Sequence, residues 1–238
     1  MLDVLAVGAH PDDCEILMGG TLLVLKQLGY KAGICDMSSG EAGTYGSAEI
    51  RKQELQKASA LLDLDARKTL DLPDGHIRNT EENRLKIIDV IREYRPEIVF
   101  GFRGDRLRHP DHYYAGVLVK ECVFLAGLEK IKTDHAPHRP SSLIYYTELL
   151  LRDQPDFVVD ITAMWQKKLE VIQAYRSQVP VKGEDDSCAR TLVHSNAFWE
   201  LMEARCRMAG GLIGTKYGET FYSDTPAKVQ DIPAAFSR

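Results

Sequence analysis

Two tetrapeptides, His10-Pro11-Asp12-Asp13 and His109-Pro110-Asp111-His112, concentrate imidazole and carboxylate groups at two distant points of the chain. Imidazole and carboxylate hold borderline-soft divalent metals. Three such protein ligands with the fourth position open make a hydrolytic centre, whereas four protein ligands make a structural one. The spacing predicts His10, Asp13 and His112 as the ligand set. On the opening turn of a helix, positions i and i+3 face the same way, so His10 and Asp13 can reach one ion. Proline extends the residue before it and pre-sets its own φ for a first helical turn, which fixes that relation. Asp12 and His109 are left over. Asp12 suits the removal of a proton from water; His109, if charged, suits stabilising an oxyanion or protonating a departing amine. Asp111 could orient His109 by accepting a ring N–H. A lone His-Pro-Asp is a common turn, and Asp12 and Asp13 could simply cap a helix. Two such motifs, each just past a predicted strand, favour the metal. Zinc is the expected ion, and ferrous iron or cobalt also suits a set of two histidines and an aspartate.

The elements that must bring the motifs together can be read from periodicity. Residues 2–7 (LDVLAV) form a short apolar run that predicts a buried strand, and a helical pattern follows over 15–28 up to Gly29. Residues 31–37 predict a second strand. Residues 47–62 predict a helix capped by Ser47, with Ile50, Leu55, Ala58 and Leu61 facing inward. A strand at 68–72, a helix at 80–94 capped by Thr80, a strand at 98–101 and a helix at 111–125 continue the alternation. Beyond it, 143–147 and 157–161 predict strands, 163–175 and 196–208 predict helices, and 178–194 is polar and irregular. The expected class is α/β: a single doubly wound, mostly parallel, Rossmann-like sheet with helices on both faces, residues 1–238 forming one domain. In such sheets ligands gather at the carboxyl ends of the strands, where both motifs fall.

Composition narrows the function further. A net charge of −5 argues against a nucleic-acid partner. No run approaches the ~20 apolar residues of a membrane span, and the first residues lack the basic stretch of a signal peptide, so the expected location is cytoplasmic. Cys14, Cys35, Cys122, Cys188 and Cys206 are scattered and form no Cys-x-x-Cys, which predicts free thiols in a reducing compartment. Cys14 is expected to be a small buried residue of the first helical turn rather than a ligand. His76, His135 and His138 are expected at the surface, and His194 at a helix cap or in solvent. Gly8, Gly19 and Gly20 do not make Gly-x-Gly-x-x-Gly, which disfavours a nucleotide-binding module. A metal-storage protein would saturate its ion and leave no displaceable water.

The chain resembles the PIG-L (LmbE-like) family of zinc-dependent N-acetylglucosamine deacetylases. The resemblance rests on Ala9-His10-Pro11-Asp12-Asp13, Ser39-Gly40-Glu41, Arg51-x-x-Glu54, His109-Pro110-Asp111-His112, Tyr175-x-Ser177-Gln178 and Tyr217-Gly218-Glu219-x-Phe221. It implies zinc on His10, Asp13 and His112, Asp12 as general base, and His109 as electrostatic or acid partner. It also implies an N-acetyl sugar as substrate with Arg51 in contact with it. The ending Leu212-Ile213-Gly214-x-Lys216-Tyr217 is most similar to the bacillithiol biosynthesis deacetylases. That branch implies N-acetylglucosaminyl malate as substrate and a homo-oligomer, a hexamer among the possible forms. Arg106 or Arg108, just before His109, could pair with a malate carboxylate through the guanidinium fork, Arg108 being the residue assigned here; the alternative for each is a solvated surface arginine. The expected function is metal-dependent removal of the N-acetyl group from an N-acetylglucosaminide. Thiol-conjugate amidases and chitooligosaccharide deacetylases are the nearest rivals.

Overall fold

A strand covered on both faces must be apolar along its whole length rather than at alternate positions. β1 (Val4–Gly8) and β2 (Ala32–Asp36) are buried at every position in the computed structural model, which describes residues 1–104, 109–149, 153–181 and 189–233. β3 (Ala66–Thr69), β4 (Ile98–Phe102), β5 (Ser142–Tyr146), β6 (Phe157–Asp160) and β7 (Gly218–Ser223) complete one sheet, in the order β3-β2-β1-β4-β5-β7-β6. The pairings from β3 across to β5 are all parallel. β7 alone runs the other way, antiparallel to both β5 and β6.

The helices are α1 (Asp13–Gln27), α2 (Ala48–Leu62), α3 (Glu81–Tyr94), α4 (Pro110–Leu125), α5 (Trp165–Ile172) and α6 (Asn196–Leu212). α1 packs on α2 and α5, while α3 packs on α4. With right-handed crossovers, the chain's return from β3 to β4, on the far side of β1, puts these two groups on opposite faces. Where the strand order reverses, β1 and β4 are neighbours; the first motif starts two residues after β1, and the second opens α4, the next element after β4. Ser47 Oγ accepts from Ile50 N and Thr80 Oγ1 from Asn83 N, so both expected caps are formed. No helix among the described residues is long and apolar enough to cross a membrane.

Four details depart from the sequence reading. β7 was not anticipated, because Gly218–Ser223 reads as a motif with no partner nearby in sequence. Ile50 is 46% exposed rather than inward. The buried face of α2 carries Arg51, Glu54, Ala58 and Leu62, spaced i, i+3, i+7, i+11, so two polar residues set the orientation and turn Ile50 outward by one ~100° step. The segment expected as a helix at 163–175 is a 3-10 turn, Thr162–Met164, followed by the short α5. It ends early because Tyr175 points into the core, where its hydroxyl donates to Glu15 at 2.7 Å. α6 continues past residue 208 to Leu212. Arg106, Arg108 and Cys188 lie outside the described residues.

Candidate metal centre

The carboxyl end of β1 delivers His10 to Asp13, and the N-terminus of α4, just beyond β4, delivers His109 to His112. The two motifs meet. One ligand atom from each of His10, Asp13 and His112 lies within 4.8 Å of the others. Asp13 Oδ2 is 3.5 Å from His10 Nδ1, and Asp13 Oδ1 is 3.3 Å from His112 Nε2. Metal–ligand bonds of about 2.1 Å in a tetrahedron put neighbouring donors about 3.4 Å apart, which is close to the length of both aspartate–histidine edges.

Each donor is aimed from behind. Asp13 Oδ2 accepts from the backbone N–H groups of Ala9 (3.0 Å) and His10 (2.8 Å), leaving Oδ1 turned toward His112. His10 Nε2 faces Asp74 Oδ1 at 3.0 Å and Asp111 Oδ2 at 3.3 Å, leaving Nδ1 for an ion. His112 Nδ1 faces Glu148 Oε1 at 3.1 Å, leaving Nε2. Carboxylates behind histidine ligands fix the ring tautomer and raise the basicity of the free nitrogen. His10, His109 and Asp111 form a second set of three potential ligand atoms, within the same 4.8 Å limit.

Asp12 occupies the N-cap position of α1, but its side chain makes no capping bond, and its backbone is left-handed at φ 106°. A non-glycine residue held there is strained, and such strain persists where the surroundings demand a particular side-chain direction. Asp12 borders a cavity of about 580 Å³ with His10, Asp13, Arg51, Asp74, His109, His112 and Glu148. Burial, reinforced by the Asp13 charge and opposed by Arg51 and His10, raises its carboxyl to about 7. Burial and the neighbouring His10 and His112 imidazoles depress His109 below the ordinary imidazole range. His109 Nδ1 accepts from Asp111 N at 3.2 Å, so the neutral ring carries its proton on Nε2 and donates without needing charge. This revises the expectation for Asp111. Its carboxylate makes no described hydrogen bond to the His109 ring, although it lies within 4.8 Å of it; it accepts from Gly75 N (2.6 Å) and Ile77 N (3.2 Å) and faces His10.

The match with known proteins follows the same residues. A family model described as PIG-L, GlcNAc-PI de-N-acetylase, matches residues 5–123, the half that carries both motifs. The chain belongs to the PIG-L family. Diacetylchitobiose deacetylase of Thermococcus kodakarensis is 30% identical over 91% of this chain and 80% of its own length. A probable N-acetyl-alpha-D-glucosaminyl L-malate deacetylase 2 of Bacillus cereus is 27% identical over 76% of this chain and 86% of its own. Among solved structures, the conserved protein TT1542 from Thermus thermophilus superposes with a TM-score of 0.87 at 36% identity, covering 98% of this chain and 99% of the other.

In this PIG-L chain the supporting motifs build the cavity wall. Arg51 is buried, with Nη2 3.4 Å from Pro11 O. Gly40 has a left-handed φ of 71°, and a Cβ there would lie 2.5 Å from the Arg51 guanidinium, so only glycine fits. Glu54 accepts from Ser177 N and Oγ at 2.6 and 2.7 Å, and Gln178 Nε2 donates to Tyr45 O at 2.7 Å, tying α2 and the loop before it to the loop after α5. His194 is neither a cap nor in open solvent. It stacks on Tyr45 with ring centroids 4.1 Å apart, and its Nδ1 is 3.2 Å from Gln178 O. Cys14 is buried against Tyr146, as expected, and His76 is exposed. His135 is exposed and pairs with Asp89; His138 is half-buried, bonded through Nε2 to Pro96 O.

Asp74 and Glu148 escaped the sequence reading. Pro73-Asp74-Gly75 reads as a turn, which it is, and nothing local shows that the turn ends 3.0 Å from His10. The surrounding carboxylates have a measurable consequence. Burial opposes charge on His112, but Asp13 and Glu148 more than offset it and raise its pKa to about 9. A cation binding at neutral pH must displace that proton. Zinc affinity is therefore expected to climb about tenfold per pH unit for each proton displaced, from pH 6 toward 9. Calorimetry in buffers of different ionisation enthalpy checks this; binding without proton release would contradict it.

Proposed function

We propose that this chain is a zinc-dependent hydrolase that removes the acetyl group from the amine of an N-acetylglucosaminide. The observation that supports this reading is the convergence of His10, Asp13 and His112 on one point, with Asp12 and His109 bordering the same cavity. A divalent ion, which His10, Asp13 and His112 would hold, would supply Lewis acidity toward the acetyl carbonyl and water. Asp12 takes the proton of the attacking water. His109 donates its Nε2–H to the oxygen that gains negative charge. Asp12 passes that proton to the departing nitrogen, and the second proton of the water leaves with the acid and is taken up by the freed amine or solvent, so acetate and protonated glucosamine account for both. Arg51 and Asp74, on the β2 and β3 side of the cavity, offer the donors and acceptors that sugar hydroxyls need.

For the aglycone, the reading retains malate. The Bacillus cereus relative supports it, as does the Arg106-Leu107-Arg108 run in the sequence. The Thermococcus kodakarensis relative makes diacetylchitobiose the rival. The test measures free amine released from N-acetylglucosaminyl malate, diacetylchitobiose and N-acetylglucosamine. It uses protein as purified, stripped with a chelator, and reloaded with zinc. Activity is expected to vanish on stripping and return with zinc, with the malate conjugate preferred. Amine release that survives stripping, or none from any of the three when metal is bound, would refute the proposal.

A further inference from the structure

Phe102, at the end of β4, lies flat against His112, with ring centroids 4.3 Å apart and 14° between the planes. Such a stack fixes the plane of the imidazole but not which of the two neutral tautomers it adopts, nor which edge faces the ion. Glu148, two residues past β5, resolves both. Its Oε1 lies 3.1 Å from His112 Nδ1. An ionised carboxylate only accepts, so Nδ1 must be the donor, and once the ring is neutral the lone pair is left on Nε2, 3.3 Å from Asp13 Oδ1. The Glu148 side chain is 6% exposed, and its backbone carbonyl accepts from the guanidinium of Arg205, itself buried on α6. The backbone that carries this carboxylate is thus anchored to an element outside either motif.

We infer that Glu148 is a positioning residue, one that sets the tautomer of His112 and holds Nε2 toward the cation. The inference rests on the metal-dependent reading above. Glu148 also borders the cavity, so a direct contact with substrate is the alternative that the experiment must separate. Removing a carboxylate behind a histidine ligand typically costs about 10- to 100-fold in metal affinity. A substrate contact would instead raise KM and leave metal binding alone.

Zinc affinity of the full chain, measured by competition with a chromophoric chelator, is compared for the native protein, Glu148→Ala and Glu148→Gln. The Ala variant is expected to bind zinc about 10- to 100-fold more weakly with an unchanged urea midpoint, and the Gln variant, which keeps an acceptor oxygen, to recover most of the loss. Nitrogen-15 spectra of the zinc-loaded native protein should show His112 protonated on Nδ1 and not on Nε2. Equal zinc affinities in all three, a raised KM as the sole change, or a His112 proton on Nε2 in the zinc-loaded protein would overturn the inference. The spectrum decides even if the Ala variant fails to fold. Failure of the native protein to bind zinc would instead bring down the functional reading itself.

Discussion

Replacing Asp12 by Asn should lower kcat by about 10²-fold or more, while zinc binding stays close to that of the native protein. Asn is the informative substitution. It keeps the size of the side chain and tolerates a left-handed backbone, whereas alanine at φ 106° would add strain to the loss of the carboxylate. Zinc binding should persist because Asp13, not Asp12, carries the oxygen beside His112, and Asp13 is held by the N–H groups of Ala9 and His10, which the substitution leaves in place. The pH profile offers a second reading of the same role. A general base works only when ionised, so the rate must fall as pH drops through its pKa. Burial lifts the Asp12 carboxyl to about 7, and a neighbouring cation would pull it down again. The acid limb of kcat should therefore lie at or below about pH 7 and disappear in the Asn variant. A variant with native turnover, or one retaining the limb at unchanged position, would remove Asp12 from the mechanism.

The parts of the site that could be read from sequence are those whose meaning is local. His10 and Asp13 are three residues apart, and their geometry follows from a proline and an opening helical turn. The meeting of this motif with His112 follows from β1 and β4 being neighbours at the reversal of strand order, which the strand–helix alternation already implies. What could not be read depends on contacts made only by the folded chain. Glu148 stands 36 residues from His112, and nothing about Thr147-Glu148-Leu149 marks its carboxylate as a partner for an imidazole. Asp111 shows a subtler case. Its neighbour in sequence, His109, seemed its natural partner, but the carboxylate spends its bonds on the backbone N–H groups of Gly75 and Ile77 and on His10. Ile50 was misplaced for a similar reason. Apolar periodicity assumes that a helix buries its hydrophobic residues, and α2 instead buries Arg51 at the cavity and Glu54 against Ser177.

The same distinction identifies the substitution expected to damage the fold most. Glu219 lies on β7, and its carboxylate enters the middle of α1, where Met18 leaves helical geometry at φ −143° and ψ 17°. That break frees the backbone donors of Gly20 and Thr21, and Glu219 accepts from both, at 3.0 and 2.6 Å. It also accepts from Thr21 Oγ1 at 2.6 Å and from Lys168 Nζ. Four donors converge on one side chain, and a carboxylate is the group that can accept from all of them while donating nothing. Glu219→Gln keeps the shape but turns an NH₂ toward those donors and leaves the Lys168 ammonium, 1% exposed, without its counter-charge. Breaking a buried ion pair from one side costs about 3–5 kcal/mol, a large share of the roughly 5–15 kcal/mol that holds a domain folded. The urea midpoint of Glu219→Gln should fall accordingly. Because α1 begins at Asp13, five residues before the break, zinc affinity should weaken with it. Lys168→Met in the same background should restore part of the stability, since it removes the stranded charge, though Gly20 and Thr21 would still face the amide. A loss below about 1 kcal/mol in Glu219→Gln, the range of an ordinary surface pair, would show that α1 keeps its broken shape without this carboxylate, and that β7 serves the site only as a strand.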